Sequence, residues 1–130
     1  MARILLAEDD DSVRAFVRRA LELDGHSVIA VEDGSIALET LEADDGGFDL
    51  LVSDIKMPIM DGIALALNVA RDKPDLPILL MTGYADQRER AHGLDQIVRD
   101  VVSKPFTLAD IRRVVATTLA GSAEPKRMAG

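Results

Sequence analysis

The sequence predicts an α/β fold built on a single five-stranded parallel sheet, and three observations predict it. Short apolar runs alternate with helically spaced segments five times along the 130 residues. The runs are continuous rather than alternating, as expected of strands covered on both faces. Four of them also end on conspicuous polar residues: Ile4–Ala7 on Glu8, Asp9, Asp10 and Asp11, Leu50–Ser53 on Asp54, Ile78–Met81 on Thr82, and Val101–Ser103 on Lys104 and Pro105. Successive βα units require crossovers, which are right-handed in nearly all cases. In such sheets ligands bind beyond the carboxyl ends of the strands, so these polar residues are expected along one edge.

Residues 3–7 read as a buried strand. Residues 12–23 place Val13, Phe16, Val17, Ala20 and Leu21 at i, i+3, i+4, i+7 and i+8, an inward helical face that Gly25 closes. Ser27–Val31 is the second strand. Asp33 caps a helix with Ala37, Leu38 and Leu41 inward, ending at Gly46 and Gly47. Asp49–Ser53 is the third strand. Gly62 opens a helix whose inward face is Ile63, Ala66, Leu67 and Ala70, and Pro74 and Pro77 punctuate its exit. Pro77–Met81 is the fourth strand. Over 86–98, Ala91, Leu94 and Val98 are helically spaced but Gly93 interrupts them. A short strand near 100–103 follows. Thr107 and Asp110 form a capping box for a last helix carrying Leu108, Ile111, Val115 and Leu119. One domain is expected over residues 1–120, with the small, polar stretch 121–130 as a disordered tail.

Composition narrows the function. Hydrophobic residues make up 48% of the chain, enough for a folded core, and almost all are aliphatic. One tyrosine, three phenylalanines and no tryptophan leave little material for stacking on nucleic-acid bases. A net charge of −8 argues against binding nucleic-acid phosphates. Without cysteine there is no disulfide, thiolate metal site or cysteine nucleophile. No apolar stretch approaches the ~20 residues that span a bilayer. Met1 lies two residues before the first strand, which leaves no room for a signal peptide. The expectation is a cytoplasmic protein with neither nucleic acid nor membrane as partner.

The strand-end residues fit phosphoryl transfer. Asp54 is the candidate nucleophile, since a carboxylate can accept a phosphoryl group as a mixed anhydride. Such transfer needs positioning and neutralisation of the phosphoryl oxygens. A magnesium ion supplies both and takes oxygen ligands, here Glu8 and Asp9 beside Asp54. The consecutive acids Glu8 to Asp11 repel one another unless a cation is near. Lys104 brings a point charge and Thr82 a rotatable hydroxyl donor.

The segments ILLAEDD (4–10), LVSDIKMPIMDG (51–62), MTG (81–83) and SKPF (103–106) together resemble the receiver domain of two-component response regulators, the CheY-like family. The resemblance covers residues 3–120. It implies a flavodoxin-like sheet of strand order 2-1-3-4-5, with Asp54 as phosphoacceptor and Mg2+ as cofactor. It further implies Asp9 as a direct metal ligand, Glu8 as a ligand through water, and the main-chain carbonyl of Lys56 as another. Thr82 matches the switch hydroxyl, Lys104 the phosphate-binding lysine, and the Lys104–Pro105 bond is expected to be cis. A histidine kinase or histidine phosphotransferase is the implied phosphodonor. Where many receivers carry a switching aromatic two residues into the fifth strand, Val101 stands instead. Tyr84, two residues after Thr82, is the candidate to take over that reporting role.

Several bland readings stand beside these. Asp10 and Asp11 fit a helix start, favoured at the positive end of its dipole, better than metal ligation. The run 8–11 lacks the calcium-loop pattern. Arg14, Arg18 and Arg19 read as a solvated helix face, and His26 and His92 as surface residues. Met57 and Met60 read as loop packing. A magnesium-dependent phosphatase of the haloacid dehalogenase type also uses an aspartate nucleophile, but expects a second acid two residues on, where this chain has Lys56. The chain is therefore expected to carry no enzymatic activity beyond its own phosphorylation and dephosphorylation. With no effector following the last helix, output is expected through protein contacts on the face formed by 86–98, the fifth strand and the last helix. The opening MARILLAEDD, the MTGYA loop and the short tail resemble stand-alone receivers of the CpdR type, which implies the ClpX unfoldase as effector. Motility or kinase control is the alternative output.

Overall fold

The structure, a computed structural model, describes residues 1–44, 47–83 and 93–123. Its sheet consists of β1 (Arg3–Ala7), β2 (Ser27–Val31), β3 (Leu50–Asp54), β4 (Ile78–Thr82) and β5 (Asp100–Ser103). All neighbours pair in parallel, in the order β2-β1-β3-β4-β5 that the receiver resemblance implies. Among the described residues the helices are α1 (Asp11–Leu23), α2 (Gly34–Ala43), α3 (Gly62–Asp72) and the last helix, α4 (Leu108–Ala123).

Two apolar layers cover the sheet. On one face Leu5, Leu51 and Leu80 meet Ala37, Leu65 and Val69 of α2 and α3. On the other, Leu6, Val52 and Leu79 meet Val17, Leu21 and Val115 of α1 and α4. Consecutive residues of β1, β3 and β4 therefore enter opposite cores, and this is why those strands read as unbroken apolar runs.

The sequence pattern and the structure part at several boundaries. β3 and β4 each run one residue further than expected, so Asp54 and Thr82 are the last residues of their strands. The ladders continue because Ile55 N–H donates to the Met81 carbonyl at 3.1 Å and Lys104 N–H to the Thr82 carbonyl at 2.7 Å. α2 stops at Ala43 rather than at the glycine pair, because Asp44 N–H closes back on Thr40 and Leu41 while its carboxylate takes Gly47 N–H and the Arg3 guanidinium. α4 continues through Gly121 to Ala123, three residues into the expected tail. The rest of that tail, and residues 86–92 of the ambiguous segment, lie outside the described residues. Residues 93–97 form a turn, and Val98 is buried in the core.

Two helices face differently from expectation. In α1, Val17, Ala20 and Leu21 are buried, but Phe16 is 38% exposed. Its ring stacks on Phe106 instead, with centroids 6.3 Å apart. In α3 the buried stripe is Gly62, Leu65, Ala66 and Val69, and Leu67 is 52% exposed. The α3 sequence is apolar nearly all round, so its pattern leaves rotation open. Gly62 settles it: a Cβ there would lie 2.1 Å from the Asp54 carbonyl oxygen, so only a glycine packs against that backbone. The two sequence-predicted caps form as expected. Asp33 accepts the Ile36 N–H, and Thr107 and Asp110 exchange reciprocal bonds at the start of α4.

Candidate functional site

Strand order brings the polar residues together at the carboxyl edge. Glu8 follows β1, Asp54 ends the neighbouring β3, and Lys104 reaches in from beyond β5. The Lys104 ammonium donates to Glu8 Oε1 at 2.9 Å and lies 3.1 Å from Asp54 Oδ1. Glu8 and Asp54 are buried, whereas Asp9 is exposed. Carboxylate oxygens of Glu8, Asp9 and Asp54 all lie within 4.8 Å of one another. They open into a cleft of about 740 Å³ whose walls include Lys56, Gly83 and Phe106. Thr82, also buried, ends β4 beside them, pairing with Ser103 while its carbonyl holds the Lys104 N–H. The Lys104–Pro105 peptide bond is cis, as the resemblance implies.

The segment between β1 and α1 is tightly determined. Asp10 caps the helix, its Oδ1 accepting the Ser12 and Val13 N–H groups at 2.9 and 3.0 Å. That is the helix-start role expected of it. The Asp10 N–H donates to Glu8 Oε2 at 3.0 Å, so the Glu8 carboxylate is held from two sides. Arg14 departs from expectation. It is only 19% exposed, and its Nη1 donates to the Glu8 carbonyl at 2.9 Å while Nη2 pairs with Asp11. Arg18, by contrast, pairs with Glu22 at the surface, as a solvated face should. His26 is half-buried rather than a free surface residue, its Nδ1 accepting the Ala2 N–H at 3.0 Å.

Burial dominates the electrostatics. It pushes the Glu8 carboxyl up to about 7, aided by the charge on Asp54 and opposed by the Asp10 N–H and Lys104. Burial also raises the Asp54 carboxyl, with the Asp9 charge adding to it and Lys104 working against it. For Lys104 burial acts against the ammonium, yet its bonds to Glu8 and Asp54 hold its pKa above the ordinary lysine value. Crowded carboxylates of this kind favour a cation. Three convergent hard oxygen donors fit Mg2+ rather than a softer metal.

The structure thus unites Glu8, Asp9, Asp54 and Lys104, with Lys56 on the same cleft wall. Val101 sits on β5 opposite Leu80, partly buried against the α2–α3 layer and away from the cleft. Tyr84 lies outside the described residues. Arg14 and Gly62 are the contacts to the site that the sequence reading missed. The glycine following Met60 and Asp61 was a visible signal, but the fold of Arg14 onto a carbonyl six residues back left none.

This arrangement defines a class, and the chain belongs to it: the response regulator receiver domain family, whose model matches residues 4–116. It is a receiver domain of two-component signalling, a class that interacts with kinases or phosphotransferases and with effectors. Among its relatives, the response regulator receiver protein CpdR of Brucella abortus (strain 2308) is 42% identical over 111 residues, 85% of this chain and 91% of that protein. The response regulator MprA of Mycobacterium avium (strain 104) is 38% identical over 84% of this chain, which spans only 47% of MprA. Among solved structures, the response regulator protein TrrA of Thermotoga maritima in complex with Mg2+-BeF superposes with a TM-score of 0.80 at 26% identity, covering 91% of this chain and 99% of that one. Among the described residues, no helix is long and apolar enough to cross a membrane.

Proposed function

We propose that Asp54 accepts a phosphoryl group from a phosphohistidine donor, and that the product changes which partner this cytoplasmic protein binds. The observation that carries this reading is the cluster itself: three carboxylates within 4.8 Å of one another, two of them held by one ammonium. An Asp54 carboxylate oxygen attacks phosphorus, a P–O bond forms, and the P–N bond breaks with its electron pair returning to the imidazole. Asp9, Asp54 and the Lys56 carbonyl, with Glu8 acting through water, would hold Mg2+, which would supply positive charge against the phosphoryl oxygens. Lys104 and the Thr82 hydroxyl donate to those oxygens once transfer is complete. The association of TrrA with Mg2+-BeF supports the same chemistry here. Lys56 in place of a second acid weighs against a phosphatase, and the domain turns over no external substrate.

Moving a two-state population from 1:99 to 99:1 takes ~5.5 kcal/mol of differential stabilisation. A phosphoryl group adds ~1.5–2 negative charges and three acceptor oxygens. New bonds to Thr82 and Lys104 are the contacts available to supply that bias, with Tyr84 as the reporting position in place of the aromatic that Val101 replaces. Incubation with acetyl phosphate and Mg2+ should raise the intact mass by one phosphoryl group, and Asp54→Asn should abolish the gain. An unaltered wild-type mass, or an equal gain in the variant, overturns the assignment.

For the output, 42% identity spanning 91% of CpdR supports an adaptor role in ClpXP proteolysis, with unphosphorylated protein bound to ClpX. A pull-down comparing wild type with Asp54→Ala should retain ClpX with the variant. Retention of a motility component or a kinase in its place assigns the output elsewhere.

A further inference from the structure

We propose that Arg14 is a positioning residue for Asp9, and through Asp9 for the divalent cation. This rests on the reading of Glu8, Asp9 and Asp54 as a Mg2+ site. The Glu8 carbonyl oxygen belongs to the peptide bond that joins Glu8 to Asp9. Arg14 Nη1 donates to that oxygen at 2.9 Å and so holds the plane of this peptide. The Asp10 N–H belongs to the next peptide bond, Asp9 to Asp10, and donates to Glu8 Oε2 at 3.0 Å. Both planar units flanking Asp9 are therefore held by side chains, one on each side.

The anchors of this clamp are themselves fixed. Glu8 N–H donates to the Val31 carbonyl at 3.1 Å, which ties the upstream end to β2. Asp10 caps α1, which ties the downstream end to the helix. The Arg14 fork shares its second nitrogen with Asp11, so the guanidinium bridges the first turn of α1 and the end of β1. Asp9 is exposed and its carboxylate reaches into the cleft, where its direction follows from the backbone on either side of it. Arg14 sets half of that backbone.

Charge and geometry make opposite predictions for Arg14. A cation beside an acidic site repels a second cation, so removing its charge alone would tighten Mg2+ binding. Removing a group that orients a ligand weakens it. Titrating the full-length protein with MgCl2 by calorimetry separates the two. Arg14→Met, which keeps the stem and removes every donor, is expected to raise the Mg2+ Kd about tenfold, the low end for partners that orient metal ligands. Arg18→Met removes the same charge from the exposed face of the same helix and should leave Kd within twofold. Arg14→Lys, with a single ammonium in place of the two-nitrogen fork, should fall between wild type and Arg14→Met. It decides the matter alone if Arg14→Met proves unfolded by circular dichroism. In the metal-free protein the Asp9 and Asp10 amide resonances should also move in Arg14→Met and stay fixed in Arg18→Met. Unchanged or tighter binding in a folded Arg14 variant overturns the proposal for Arg14 alone. Absence of Mg2+ uptake by the wild type overturns the metal site and this proposal together.

Discussion

Lys104 at the carboxyl edge of the sheet and Arg112 of α4, which reaches Asp24 at the end of α1, make contacts that look alike on paper. Lys104 lies 2.9 Å from Glu8 and 3.1 Å from Asp54, and Arg112 Nε lies 2.8 Å from Asp24. Their consequences differ in sign. At the edge, burial outweighs the ammonium and lifts the carboxyls of Glu8 and Asp54. On the helix face the Arg112 guanidinium lowers the Asp24 carboxyl, because water still reaches the pair. The surface pair stabilises the fold a little. The buried cluster holds charge that the fold alone does not satisfy, and an added cation relieves it.

The largest expected effect is on phosphorylation. Lys104→Met should slow the gain of a phosphoryl group from acetyl phosphate by about 100-fold, as losing a fixed charge donor does elsewhere. Arg112→Met should leave that rate unchanged, and equal losses in the two variants would break the contrast. Next comes Gly62→Ala, which drives a Cβ into the Asp54 carbonyl. It should cost about 2 kcal/mol, read as a lower urea midpoint with an unchanged slope.

The pH response sharpens the contrast further. Glu8 has its folded pKa raised from 4.5 to about 7, so its penalty is absent below pH 4.5 and complete above pH 7. Metal-free protein should therefore lose stability as pH rises through that interval. Glu8→Gln should remove this slope and gain about 1 kcal/mol at pH 8 in EDTA, measured by urea unfolding. Asp24 runs the other way: its pKa is lowered below 3.8, so its contribution is present above that value and lost as pH falls through the folded one. The smallest effect is that of Arg112→Ala, a slight loss of thermal stability at neutral pH. It should vanish in 1 M salt, where the Debye length is ~3 Å.

Much of this site was legible because its residues punctuate apolar runs. A strand buried on both faces admits few polar residues before its end, Ser53 being an exception whose hydroxyl bonds the Asp54 carbonyl, so Glu8, Asp54, Thr82 and Lys104 mark the carboxyl edge in the sequence itself. The strand order came through the family resemblance, since periodicity alone does not say which strands are neighbours. Helix rotation was legible where one face is charged, as in most of α1, and illegible in α3, where Leu65 and Leu67 offer equal hydrophobicity. A glycine pressed against backbone chose between them. Phe16 satisfied the inward spacing yet found Phe106 at the margin of the core, a partner ninety positions away that no local window contains. Arg14 is hidden for a different reason: its acceptor, six residues back, is a main-chain oxygen, which every residue has and no sequence displays.

The bond between Glu8 and Lys104 joins positions 96 apart in the chain. During synthesis the acceptor Asp54 and its acidic neighbours emerge first, and their ammonium arrives only with the final strand. A ribosome-bound fragment ending before β5 therefore carries the carboxylates without the ammonium that pairs with Glu8 and Asp54.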